Sequence, residues 1–100
     1  MRVILSALAA QDLEDIGDFI AADNPGRAVS FVTELRQRCA TLAEMPLAYP
    51  RREDFGKGVR LMVHRRYLVL YRVVRRQVRI ERVLHGSRHV IALVQSSDDS

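Results

Sequence analysis

The sequence contains no tryptophan, one cysteine and one lysine, and its apolar runs are short. A membrane-spanning helix needs roughly 18 consecutive apolar residues, so none is predicted. The amino terminus lacks the pattern of a cleaved signal peptide, and we expect a cytoplasmic protein. Cys39 has no partner for an internal disulfide. Its place on an apolar helical stripe predicts a reduced core thiol rather than a nucleophile or a metal ligand.

The length and composition indicate a single small domain. The chain has 100 residues, of which 48% are hydrophobic and 28% charged, and this is too short for two ordinary domains. We assign the domain to residues 1–94. Residues 95–100 form a polar tail with the composition of a disordered segment.

The positive charge is concentrated in the second half of the chain. Residues 1–50 carry 4 basic and 7 acidic side chains, a net charge of −3, whereas residues 51–100 carry 12 basic and 5 acidic ones, a net charge of +7. Fifteen of the 16 basic residues are arginines, which suit forked contacts with phosphates and carboxylates. The expected partner is therefore a polyanion or an acidic protein.

The first half predicts a short strand followed by a helical hairpin. Val3–Leu5 favours a strand, and Ser6 is a good N-cap for a helix that ends near Ala22. Asn24 and Pro25 suit the N-cap and first position of a second helix, whose apolar stripe runs from Ala28 to Leu42. Because about three residues join the two helices, they must pack antiparallel.

The second half predicts three strands, at about 59–64, 67–73 and 78–84, because β-branched and aromatic residues dominate there. The turns are placed at 65–66 and 75–77, with their register open because neither contains Asn-Gly. Gly86 ends the last strand, and a short closing helix is predicted from Ser87 to Val94. The fold class is α+β in the order β-α-α-β-β-β-(α), with the helices on one face of a mainly antiparallel sheet.

Alternation predicts the environment of individual side chains in these strands. The middle strand places Tyr67 and Tyr71 on one face, where packing is favoured over base stacking, and Arg72 on the other. In the last strand, alternation from Val78 and Ile80 places Arg82 on an apolar face together with Leu84. A guanidinium there needs an acidic partner or a concave surface.

Several segments in this order resemble the RelE/ParE superfamily, the toxins of type II toxin–antitoxin pairs. They follow the opening strand and are Ala10–Ile16, Ile20–Ala28, Phe31 with Leu35, Gly58–Arg60, Tyr67–Arg72 and Val83–Arg88. The resemblance covers roughly residues 2 to 93. It implies the family's fold and a cognate antitoxin that wraps the toxin.

The superfamily contains two branches with different targets. RelE-like members are ribosome-dependent mRNA endonucleases, whereas ParE-like members inhibit DNA gyrase. The Asn-Pro helix junction and the Leu-His-Gly-x-Arg ending look more ParE-like. The sequence also has no tyrosine or lysine after Tyr71, which leaves only His85 and His89 for proton transfer in the closing segment. The resemblance therefore favours a gyrase inhibitor that is not an enzyme and needs no cofactor or metal.

The partner that the resemblance implies is a ParD-like antitoxin with a ribbon-helix-helix domain and an acidic carboxyl-terminal tail. That tail is expected to place apolar side chains in a groove bordered by the helical hairpin and carboxylates on the arginines. The candidate partner-binding residues are Arg60, Arg65, Arg72, Arg79, Arg82 and Arg88. In the alternative interpretation these arginines bind no partner, and they are solvated or pair with the acidic first helix.

Two alternatives to a gyrase inhibitor stay open, an mRNA interferase and a homologue without activity. An mRNA interferase would use Arg72, Arg82 or Arg88 for phosphate charge and His85 or His89 for proton transfer. The four-residue spacing of the two histidines is compatible with a metal site, but no acid or cysteine lies near them and we predict none. The homologue without activity would be kept as a binding partner.

Overall fold

Two helices cover one face of a four-stranded sheet in the computed structural model of the chain, which describes residues 1–87. The elements are β1 (Arg2–Leu5), α1 (Ala7–Ala21), α2 (Pro25–Ala40), β2 (Arg60–His64), β3 (Tyr67–Val74) and β4 (Gln77–His85). The predicted α+β class is confirmed. The predicted closing helix, apart from Ser87, and the tail 95–100 lie outside the described residues.

The caps of both helices are the predicted ones. The Ser6 hydroxyl accepts a hydrogen bond from the Ala9 amide at 3.0 Å, and the Asn24 side chain accepts one from the Arg27 amide at 3.0 Å. Each bond satisfies an amide that has no partner within the first helical turn. Pro25 occupies the first turn of α2, where its missing N–H costs nothing.

The sheet has the strand order β1-β4-β3-β2. Its first and last strands in the chain are neighbours and pair in parallel, from Arg2 with Gln77 to Leu5 with Ile80. The other two pairs are antiparallel. The helical hairpin carries the chain from β1, at one edge of the sheet, to β2 at the opposite edge, and β4 later pairs with β1.

Both hairpin turns contain two residues. His64 pairs with Tyr67 around the first turn, and Val74 pairs with Gln77 around the second, so Gln77 belongs to β4 rather than to the turn. The turn residues Arg75 and Arg76 have φ of 50° and 63°. Both are left-handed, as a type I′ hairpin requires, although neither is glycine or asparagine.

A bulge in β4 corrects the predicted alternation. Tyr71 pairs with Ile80, but Leu70 pairs with Arg82, so Glu81 is an additional residue. The bulge reverses the side-chain phase after Ile80. Val83 therefore joins Ile80 in the core beneath the helices, and Leu84 packs on the opposite face. The prediction that Arg82 and Leu84 share a face with Val78 and Ile80 was wrong for this reason.

The main core lies between the hairpin and the sheet. Leu13 and Ile16 of α1, and Leu35 of α2, are buried against this face of the sheet, which includes the buried Tyr71. The opposite face has a smaller cluster in which Val59, Leu70 and Leu84 are buried, with Phe55 and Leu61 packed beside them. Among the helices in residues 1–87, none is long and apolar enough to cross a membrane.

Candidate functional site

Asp12 joins α1 to an edge of β4 that β1 does not cover. Its carboxylate accepts hydrogen bonds from Arg82 Nε at 2.8 Å and Arg82 Nη2 at 3.0 Å, and also from the Val83 amide at 2.8 Å. β1 pairs with β4 only as far as Ile80, so the Val83 amide has no backbone acceptor from β1. Arg82 therefore has the acidic partner that its position requires, and this partner lies on the first helix.

Glu34 of α2 joins the helical layer to the β2–β3 turn. Its carboxylate accepts two hydrogen bonds from Arg65, at 2.9 and 3.1 Å, and lies 2.8 Å from His64 Nε2. The hydrogen bonds from Arg65, and then the contact with His64, lower the pKa of Glu34 from 4.5 to about 2. Arg65 thus has an acidic partner inside the molecule.

The remaining candidate arginines of the sheet have unequal environments. Arg60 donates a hydrogen bond to the Tyr49 carbonyl at 2.7 Å, and Arg79 forms an ion pair with Glu81 at 3.1 Å. Arg72 differs, because its Nε is buried and has no hydrogen-bond partner among the described residues. Arg88 and His89 lie outside the described part of the chain.

His85 lies at the end of β4, on the helix-covered face. Its ring packs edge-on against Tyr67 with centroids 5.2 Å apart, and its Nδ1 lies 2.9 Å from the Ser87 hydroxyl. Together with Asp12 and Phe19 of α1, these two rings line a cleft of about 220 Å³. Tyr67 is buried, as predicted for sheet packing.

The structure does not bring Arg72 and His85 together. Tyr67, the cross-strand neighbour of His85, is five residues from Arg72 along β3, which is about 16 Å at 3.3 Å per residue. An odd number of residues also places the two side chains on opposite faces of the sheet. A phosphate held by Arg72 is therefore out of reach of His85.

The described residues hold no metal-binding cluster of His, Cys, Asp or Glu. Cys39 is buried in the core, and this burial raises the pKa of its thiol to about 11. A thiol in such a setting stays protonated and unreactive.

An apolar groove runs along the solvent side of the helical hairpin. It has a volume of about 540 Å³, and Gly17 of α1 and Val32 of α2 form part of its floor. A Cβ added at Gly17 would lie 3.4 Å from a Val32 methyl group, an ordinary van der Waals contact. Val29 on its wall is 71% exposed, whereas Glu14 and Asp18 make the α1 side of the groove acidic.

Sequence reasoning foresaw that Arg82 needs a partner and that the first helix is acidic, but not that Asp12 is this partner. The bulge at Glu81 was also missed. A groove bordered by the hairpin was expected, but its lining residues were not named. The only sequence signal for Asp12 was its position among four acids on α1, which does not distinguish it from Glu14, Asp15 or Asp18.

Comparisons with known proteins identify the family. No curated protein matches the sequence. A solved structure described as the chromosomal ParDE TA system from P. aeruginosa matches with a TM-score of 0.76 and 23% identity, over 85% of this chain and 95% of that one. At this identity the match shows a shared fold. The family model of the ParE toxin of the type II toxin–antitoxin system parDE matches residues 3–90. The chain therefore belongs to the ParE toxin family of type II toxin–antitoxin systems, as its resemblance to the RelE/ParE superfamily indicated.

Proposed function

We propose that this protein inhibits DNA gyrase in the cytoplasm by binding to it, without covalent chemistry of its own. The observation that carries the proposal is the family match over residues 3–90. The geometry supports it, because two of the residues that an mRNA interferase would use, Arg72 and His85, lie on opposite faces of the sheet. A third, Arg82, is held in a forked ion pair with Asp12.

A plasmid-supercoiling assay tests this proposal. Purified protein added to gyrase, ATP and relaxed plasmid should block supercoiling and increase the amount of linear, cleaved plasmid. Preincubation of the protein with its antitoxin is the matched control and should restore supercoiling. Unchanged supercoiling at a stoichiometric excess of the protein contradicts the proposal.

Primer extension on translated mRNA separates this function from the interferase alternative. Growth arrest during expression, without new 5′ ends, is the result expected for a gyrase inhibitor. New 5′ ends that depend on the ribosome would instead favour the mRNA interferase. Normal growth during unrestrained expression would indicate a homologue that has lost its activity.

The toxin–antitoxin family implies an antitoxin, and we propose that it is ParD-like, with a ribbon-helix-helix domain and a carboxyl-terminal segment that binds the hairpin groove. Val29 and Val32 present apolar surface there that no described part of the chain covers. Glu14 and Asp18 repel carboxylates on the α1 side of the groove, whereas Arg36 on the α2 side attracts them. The segment therefore places apolar side chains over the valines and its acidic residues toward Arg36.

A pair of neighbouring substitutions on α2 tests the groove. Val29→Asp puts a charge on its apolar wall and should abolish capture of the toxin by its antitoxin. Ser30→Asp adds the same charge at a neighbouring exposed position that does not line the groove, and it should leave capture intact. Equal capture of both variants contradicts this docking site.

A further inference from the structure

Four arginines lie together at the end of the sheet formed by the β3–β4 turn. Arg75 and Arg76 are the two turn residues, and Arg72 and Arg79 are directly opposite one another on the adjoining strands. Val73 and Val78, between them, belong to the core beneath the helices. Arg72 and Arg79 therefore point to the open face of the sheet. We call these four residues the arginine tip.

The backbone conformation disfavours arginine at the two turn positions, and like charge disfavours it at the two strand positions. Both turn residues are left-handed, with φ of 50° and 63°, a conformation that suits Asn-Gly and strains most other residues, because their Cβ approaches the backbone. Like charges directly opposite on neighbouring strands also repel. Residues that oppose folding in this way point to a function.

The arginine tip has few acidic partners inside the molecule. Within residues 1–87, Arg79 has an ion pair with Glu81, and its side chain stays 51% exposed. No other member of the tip has an ion pair there. Arg72 has a buried Nε without a hydrogen-bond acceptor in the same part of the chain. Its Nη2 lies 3.1 Å from the position that a Cβ at Gly56 would occupy, so the neighbouring loop limits its movement.

The surface beside the arginine tip is concave. A depression of about 340 Å³ is lined by Arg75 and Arg79, with Ile4, Val74 and Gln77 completing it. It combines cationic side chains with small apolar surfaces and contains no acidic lining residue. A phosphate placed there meets two guanidinium groups, one from the turn and one from β4.

The geometry points to the arginine tip as a binding site for the phosphate backbone of double-stranded DNA. A duplex is favoured over a single strand because the tip and its depression have no aromatic side chain on which bases would stack. An acidic antitoxin segment in the hairpin groove does not reach the tip's open face, since helices and sheet lie between them. The choice of DNA over RNA rests on the proposed action on gyrase.

Fluorescence anisotropy of labelled duplexes tests this site. The decisive variant is Arg75→Asn with Arg76→Gly, because it removes two charges and also gives the turn its preferred residues. Its melting temperature should equal or exceed that of the native protein, so lost binding is not lost folding. The matched control, Arg27→Gln with Arg36→Gln, removes two charges from α2, on the other side of the sheet.

The salt dependence of binding gives the expected magnitude. Four phosphate contacts predict a slope of log K against log salt of about −3.6, or about a 150-fold loss of affinity between 50 and 200 mM salt. The turn variant should reduce the slope to about −1.8 and lower the affinity at least tenfold at the lower salt concentration. The α2 control should keep the native slope.

Four results would overturn the inference. The first is a turn variant that keeps the native salt slope, and the second is an α2 control that loses as much affinity for duplex DNA as the turn variant. The third is tighter binding of the native protein to single strands or to an RNA duplex. The fourth is a turn variant that still binds duplex DNA and loses binding only to an acidic antitoxin peptide. The assay contains no gyrase. Its failure therefore leaves the gyrase proposal standing, and failure of the supercoiling assay leaves DNA binding standing.

Discussion

Asp12 is the residue whose replacement tests the contact between α1 and β4 most directly. Asp12→Ala removes the acceptor of the Val83 amide and the forked partner of Arg82. An unsatisfied amide costs about 1–3 kcal/mol, and the lost pair with the partly exposed Arg82 costs about 1 kcal/mol. Alanine is the better helix former by about 0.6 kcal/mol. The net destabilisation is therefore about 2 kcal/mol.

Asp15→Ala is the matched control on the same helix. Asp15 is exposed and accepts a hydrogen bond from Gln11 in its own helix, so this variant gains helix propensity without losing a contact to β4. Urea unfolding followed by circular dichroism gives the free energy of unfolding of each variant, and thermal unfolding followed in the same way gives its melting temperature. We expect Asp12→Ala to melt about 8–16 °C below the native protein and Asp15→Ala to melt within a few degrees of it.

A double-mutant cycle separates the two contacts of Asp12. Arg82→Met removes the ion pair and leaves the bond to the Val83 amide, so the coupling energy between Asp12 and Arg82 should be about 1 kcal/mol. The rest of the Asp12→Ala effect belongs to the amide. Free energies of unfolding for Asp12→Ala and Asp15→Ala that agree within about 0.5 kcal/mol would refute the reasoning.

Three further tests probe other parts of the molecule. The pKa of Glu34 is lowered to about 2 in the folded protein. Its contribution to stability is therefore complete above pH 4.5 and is lost as the pH falls toward 2. In Glu34→Gln the melting temperature should depend less on pH over that interval. Cys39, with its thiol pKa raised to about 11, should react with a thiol reagent only after denaturation, and rapid native labelling would contradict its burial. Gly56→Ala should cost about 1–3 kcal/mol, because φ is +139° and the new Cβ lies 3.1 Å from Arg72. Gly26→Ala, inside α2 with only ordinary contacts, is its control and should be neutral or stabilising in the same unfolding assay.

The elements of this fold are predictable because their signals are local. Ser6, Asn24 and Pro25 mark the helix starts, since capping depends on residues within one turn. The alternation of β3 also places Tyr67 and Tyr71 in the core, as the structure confirms. The bulge at Glu81 escapes such reasoning because no local residue pattern marks it, and its phase reversal moves Leu84 to the opposite face.

The sequence by itself determined the α+β order, the helical hairpin and the concentration of positive charge in the strands, because each depends on residues close together in the chain. Only the tertiary structure decided which arginines form ion pairs with acidic residues inside the molecule. Asp12 is 70 residues from Arg82, and Glu34 is 31 from Arg65, so these pairs exist only because the helices fold over particular strands. The same packing leaves Arg75, Arg76 and Arg79 of the arginine tip exposed, since they lie at the end of the sheet that the acidic helix does not neutralise.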